Sequence, residues 1–209
     1  MPAALAPDIE IPIPPLSPVI YPPRKRWTRT ECQSLESTGL WDRDRFELID
    51  GELITKLPKN RPHIIVLMLV GEWLAHVFGS FHLNKEGPID VAPEDNPTSE
   101  PEPDLAVLGN DGRTYLDSSP PAAEVRLLIE ISDSTIGFDL GPKARLYSRA
   151  GIADYWVVDI QARRIIVHRS PEGGVYSQVV AYEEGESVSP LVAPDAMLLV
   201  SEAFPTLRA

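Results

Sequence analysis

The 209-residue chain has a single cysteine, Cys32, and only 19 basic residues against 31 acidic ones. A lone thiol excludes an internal disulfide and suits a reducing compartment, so a cytoplasmic location is expected. The formal net charge of −12 leaves no broad electrostatic attraction to nucleic acid or to an anionic membrane. Long apolar runs are also missing. The best of them, IIVLMLVG at 64–71, stops at Glu72, well short of the ~20 residues a membrane span needs. The opening MPAALAPDIEIPIPP carries neither a basic leader nor an apolar signal core. There is no phosphate-binding loop, dinucleotide glycine motif, zinc-type Cys/His spacing or Gly-x-Ser-x-Gly elbow, so those chemistries have no support. The expectation that remains is a soluble protein without membrane partners.

What is present suffices for one sizeable core, with 43% hydrophobic residues. Residues 1–23 hold eight prolines and are followed by Arg24, Lys25 and Arg26. The expectation is a Pro-rich extended tail over 1–26 and a single domain over 27–209. Thr28 and Glu31 form a capping-box pattern, which predicts a short helix over 29–37. RFELIDGELITKL predicts a hairpin turning at Asp50-Gly51, and HIIVLMLVGEWLAHVFG a core-facing helix closed by Gly79. Residues 86–102 read mostly as loop. PDLAVL, LLIEIS and DYWVVDI read as buried strands, and Pro142 to Ala150 as a helix that proline starts and Gly151 stops. RRIIVHRSPEGGVYSQVVAY reads as a further hairpin, and MLLVSEAF as a strand passing into a short terminal segment. Trp41, Trp73 and Trp156 are expected as core or interface fillers. The strand, helix, strand unit from LLIEIS to DYWVVDI implies a parallel crossover in a mixed sheet, so the class is α/β or α+β.

The strand LLIEIS, 127–132, carries the residue that most needs explaining. Apolar on both faces, it is expected to be buried on both, yet Glu130 stands in its middle. An unpaired carboxylate there would cost several kcal/mol, so it requires a cation, a donor or a shifted pKa. Asp104, after Pro103 at the head of a neighbouring strand, is the natural companion. Two carboxylates converging from adjacent strands make a hard-oxygen site suited to Mg²⁺ or Mn²⁺. The alternative is that Asp104 caps a loop and Glu130 is paired with a protein cation. Asp139, Lys143 and Tyr147 follow at intervals of four, on one helical face. They make either a solvated pair over a packed tyrosine or a lysine leaning toward Glu130. His63, at the start of the long helix, reads first as a half-exposed first-turn histidine, with a ligand role as the other option.

FELIDGEL, PDLAVL, LLIEISDST, Asp139 with Lys143, and AGIADYWVVD together resemble the Uma-type family of bacterial endonucleases within the PD-(D/E)XK superfamily. The blocks span roughly residues 27–205. The resemblance implies a restriction-endonuclease-like core, a central mixed sheet flanked by helices. It further implies that Asp104, Glu130 and the Ile131 carbonyl hold Mg²⁺, or Mn²⁺ in its place. The ion would polarise a phosphodiester oxygen and acidify an attacking water, and Lys143 would orient or deprotonate that water. Glu47 matches the early acid that binds metal directly or through water, with Glu52 across the turn as its competitor. The superfamily's Glu-X-Lys would place lysine where this chain has Ser132; Lys143, in the following helix, matches the migrated lysine of the Uma-type family.

The activity implied is a Mg²⁺-dependent DNA endonuclease, weak or partner-assisted because cations are few. Lys56, Lys59, Arg61, Lys85, Arg145 and Arg149 are the candidate phosphate contacts, though each taken singly reads as surface solubility. A homodimer fits duplex cleavage, which needs two sites or two visits. A catalytically silent protein-binding module on the same fold is the alternative, favoured by the acidic balance. A two-carboxylate glycosidase is disfavoured because both acids interrupt buried strands instead of lining an aromatic cleft.

Overall fold

Alternating and continuous apolar segments organise the chain around one sheet, and a computed structural model describes residues 23–39 and 45–206 of it. Helix α1 (Arg29–Ser37) begins at Thr28, whose side chain caps Glu31 N–H while the Glu31 side chain returns to the Thr28 N–H, the expected capping box. Strands β1 (Phe46–Ile49) and β2 (Glu52–Thr55) form the Asp50-Gly51 hairpin. Both turn residues have positive φ, 47° and 75°, and a Cβ on Gly51 would sit 2.8 Å from that of Arg26. Glycine is therefore required twice over.

Helix α2 (Arg61–Phe78) starts on the Asn60 side-chain cap, two residues earlier than the apolar run suggests, and ends at Gly79 with φ 85°. It is the one described helix long and apolar enough, by length and composition, to cross a membrane. Here its Val66, Val70 and Leu74 pack on the sheet instead, each burial contributing about 1.5–3 kcal/mol. Next come β3 (Leu83–Lys85), β4 (Leu105–Leu108) and β5 (Val125–Ser132). Three residues is too short to show alternation, which is why β3 was not foreseen.

The helical segment after β5 departs from the sequence expectation. It opens with α3 (Ile136–Phe138), continues through a π-helical turn (Asp139–Lys143) and ends in α4 (Ala144–Arg149). Pro142 thus lies inside the segment, not at its start. The π-turn accommodates it: Ala144 N–H reaches back five residues to the Asp139 carbonyl, a spacing with room for the ring. Strands β6 (Asp154–Asp159), β7 (Arg164–Glu172) and β8 (Val175–Tyr182) follow, then the short pair β9 (Ser187–Val188) and β10 (Leu198–Leu199).

The six-stranded sheet runs β3-β4-β5-β6-β7-β8. β5 and β6 are parallel and every other neighbouring pair is antiparallel, so the sheet is mixed, as the crossover implied. Helix α2 and the chain end cover one face, over Leu127, Ile129, Trp156 and Val167. α4 covers the other, over Leu128, Tyr155, Val157 and Tyr176. Trp156 is fully buried and stacks on Trp73 at 6.3 Å. Trp41, and residues 1–22 of the expected tail, lie outside the described residues. Of the basic knot, Arg26 bonds the Asp50 carbonyl and Lys25 pairs with Glu31, so both dock on the folded part. Ile49 and Ile54 pack with Leu146 and Phe138, which brings the β1-β2 hairpin over the π-turn and α4.

Candidate active site

Strand register creates the centre of the site. Leu105 pairs with Ile129, so one step further the antiparallel pairing sets Asp104 beside Glu130. Both are buried, and both line a cleft of about 370 Å³ between the hairpin, the start of α2 and the π-turn. Asp104 Oδ2 accepts the Ile131 N–H at 2.8 Å, which fixes its orientation to the backbone of β5. Its Oδ1 lies 3.2 Å from Lys59 Nζ and 3.3 Å from His63 Nε2. Burial pushes this carboxyl up, but His63, the Ile131 N–H and Lys59 together hold it below the usual carboxylate range.

Glu130 sits differently. Its Oε1 accepts from Lys143 Nζ at 2.9 Å and Tyr147 OH at 2.7 Å. No hydrogen bond engages Oε2 among the described residues. Burial pushes the Glu130 carboxyl up to about 8, against the pull of Lys143 and with further upward push from Asp104, Asp139 and Glu47. Lys143 goes the opposite way from most buried lysines. Burial favours its neutral form, but Glu130 and Glu47 outweigh that and raise it well above its ordinary value. A buried ammonium shared by acids is held charged.

Glu47 is the inward acid of the hairpin, 7% exposed, whereas Glu52 is exposed. Glu47 Oε1 lies 3.1 Å from Lys143 Nζ and accepts the Glu102 N–H at 2.7 Å. Its described contacts are thus with the lysine and the loop that precedes β4. Asp139 lines the same cleft and accepts from Thr135 Oγ1 at 2.7 Å. Lys143 is therefore not a solvated partner of Asp139 but a buried link between Glu130 and Glu47. Ile131 lines the cleft beside Glu130.

His63 is the residue that sequence reasoning undervalued. Instead of a merely half-exposed helix residue, it is an Asp104 contact with a buried Nδ1. Its only sequence signal was position, in the first turn of a helix four residues after Lys59. Of the suggested phosphate contacts, Lys56 pairs with Glu102 and Lys59 with Glu86 and Asp104, both at the cleft. Arg149 instead joins Asp50 to Asp95, tying α4 to the hairpin and to the loop before β4.

The donor set suits a hard divalent cation: two carboxylates and a strand backbone, with Glu130 Oε2 uncommitted and Asp104 Oδ1 held only by long contacts. Among the described residues no three His, Cys, Asp or Glu side chains meet at ligating geometry. The protein side thus offers two acids, which fits an ion that keeps open positions for solvent and substrate.

The mixed six-stranded sheet flanked by helices is a restriction-endonuclease-like core. The chain belongs to the Uma2 family, described as "Putative restriction endonuclease", whose model matches residues 32–201. Among solved structures it is similar to "a putative nuclease belonging to DUF820" from Anabaena variabilis ATCC 29413, with a TM-score of 0.59. That likeness covers 81% of this chain and 95% of the other at 15% identity, and so speaks to the fold alone. No curated protein matches the chain.

Proposed function

We propose that the chain is a Mg²⁺-dependent endonuclease that hydrolyses DNA phosphodiester bonds, with Mn²⁺ able to replace Mg²⁺. The observation that carries this reading is the half-satisfied Glu130: one oxygen is bound by Lys143 and Tyr147, and the residue lines the same cleft as Asp104. Asp104, Glu130 and the Ile131 carbonyl would hold the ion. Once bound, it supplies Lewis-acid charge against a phosphodiester oxygen and makes water a better nucleophile.

The protein's own groups do the rest. Lys143, held charged by two acids, steadies negative charge developing on the phosphate and orients the nucleophile toward it. Tyr147 fixes the Glu130 carboxylate, and Glu47 keeps Lys143 at the site as its second counter-charge. The Ile131 N–H holds one oxygen of the Asp104 carboxylate. Lys143 would stand in for a lysine at position 132; what supports this is that its Nζ, carried by the π-turn, lies 2.9 Å from Glu130 Oε1.

DNA binding is expected to be weak or partner-assisted, and the active species a cytoplasmic homodimer. One observation favours a second reading, a silent protein-binding module. All three lysines that line the cleft are already paired with acids, so the metal-free cleft presents little positive charge to DNA. A plasmid-nicking assay separates the two. Cleavage in Mg²⁺ or Mn²⁺ that stops with chelator and in Glu130→Gln supports the nuclease, whereas intact plasmid under every metal condition supports the module.

A further inference from the structure

The Lys59 and His63 side chains converge on a single oxygen of the site. Asp104 Oδ2 is committed to the Ile131 N–H. Oδ1 is therefore the oxygen left for a ligand, and it is covered by Lys59 at 3.2 Å and His63 at 3.3 Å. Both distances are long for charge-assisted bonds, which run about 2.7–2.9 Å, so the cover is loose. Lys59 also pairs with Glu86, which lines the cleft and adopts a left-handed φ of 53°. The His63 ring has its Nδ1 buried without a hydrogen-bond partner, which leaves Nε2 as its one polar contact among the described residues. Nothing in the reaction sketched above uses either side chain.

We propose that Lys59 and His63 are a displaceable cover that becomes a phosphate-binding arm. In the metal-free protein they cover Asp104 Oδ1. Were a divalent cation to take Oδ1, both would lose their acceptor and the Lys59 ammonium would stand beside a dication, an arrangement that like charge disfavours. A phosphate group entering next to the ion relieves it by accepting from Lys59 Nζ and the His63 Nε2–H. Metal and phosphate should then bind with positive coupling, each removing what opposes the other. Glu86 tempers the arm by keeping part of the Lys59 charge. The ligand chemistry is a phosphate anion, either in a diester backbone or free. This inference rests on the metal-nuclease reading and extends it to the substrate.

The test measures two affinities on the full chain by calorimetry, with thermal unfolding as the folding control. Wild type, Lys59→Ala, His63→Ala and Glu86→Gln are titrated with Ca²⁺, a hard-oxygen ion, and the Ca²⁺-loaded proteins then with a short DNA duplex or with inorganic phosphate. Lys59→Ala and His63→Ala should bind Ca²⁺ about two- to fivefold more tightly, because a competitor for Oδ1 is gone. Their loaded forms should bind duplex about tenfold more weakly, and Glu86→Gln should bind it more tightly. A loss seen with duplex alone assigns the arm to the diester backbone; a loss with both probes assigns it to the phosphate group itself. Weaker Ca²⁺ binding in Lys59→Ala would make Lys59 a holder of Asp104 and overturn the proposal, as would unchanged duplex and phosphate affinity. Wild type that binds no cation defeats the metal reading itself. Wild type that binds the cation beside variants unchanged in both titrations defeats only the arm.

Discussion

Asp154 and Glu130 are both carboxylates buried on neighbouring strands of one sheet, yet they are treated in opposite ways. Asp154, fully buried at the start of β6, has every direction filled. Its Oδ1 accepts from Trp156 Nε1 at 2.8 Å and Arg169 Nε at 2.9 Å, and its Oδ2 from the Leu191 N–H at 2.8 Å. Arg169 sits opposite it in the β6-β7 ladder, so the ion pair also locks strand register. Glu130, on β5, has one oxygen satisfied and opens on a cleft. A closed ionic knot holds a fold together; a carboxylate left half-served beside a cavity is available for chemistry. Burial alone does not tell these two acids apart, whereas the count of filled lone pairs does.

The hardest way to break the comparison is at Asp154. Asp154→Ala leaves Arg169 in a partly buried site without its partner and should cost about 3–5 kcal/mol in denaturant unfolding. Metal affinity at a temperature where the variant stays folded should not change. Glu130→Gln should do the reverse. At about pH 5, where the folded Glu130 carboxyl keeps its proton, stability without metal should move by no more than about 1 kcal/mol, since the amide oxygen can still accept from Lys143 and Tyr147. Cleavage should fall on the order of 10²–10³-fold. If both variants lose stability to the same extent, the distinction between the two acids fails.

pH sharpens it further. In chelator, the folded Glu130 carboxyl sits at about 8 because of its burial, against an ordinary 4.5. Between those values the folded protein keeps a proton that the unfolded chain has released. The corresponding stability is full below about 4.5 and is lost as pH rises through about 8. Urea midpoints of the metal-free wild type should therefore decline from about pH 5 to about pH 8 more steeply than those of Glu130→Gln. Parallel curves would show that Glu130 is ionised throughout. The smallest effect expected is that of Tyr147→Phe, which removes one hydrogen bond to Glu130 and should cost about 1–2 kcal/mol in unfolding while leaving Lys143 in place.

Much of this was legible in the sequence, for reasons that differ by residue. Asp104 and Glu130 stood out because each interrupts an apolar strand, and β-pairing of consecutive strands is the commonest way to bring such residues together. The Asp50-Gly51 turn and the Thr28 cap are local chemistry and were readable as such. Lys143 and Tyr147 share a face because four-residue spacing survives past the π-turn. The π-turn itself was not readable, because a proline after Gly141 looks like a helix start; only the packing of α3 and α4 over the sheet shows that the helix had already begun. His63 was hidden for a different reason. Its approach to Asp104, 41 positions away in sequence, depends on how α2 crosses the sheet, which no local pattern encodes.

The most direct measurement is calorimetric titration of Mg²⁺ and Mn²⁺ into the wild type and Glu130→Gln. The predicted result is saturable binding by the wild type that is abolished or severely weakened in Glu130→Gln, with the variant folded by its unfolding curve. Equal binding by both proteins, or none by the wild type at millimolar metal, would contradict it and would leave Glu130 as the counter-ion of Lys143 alone.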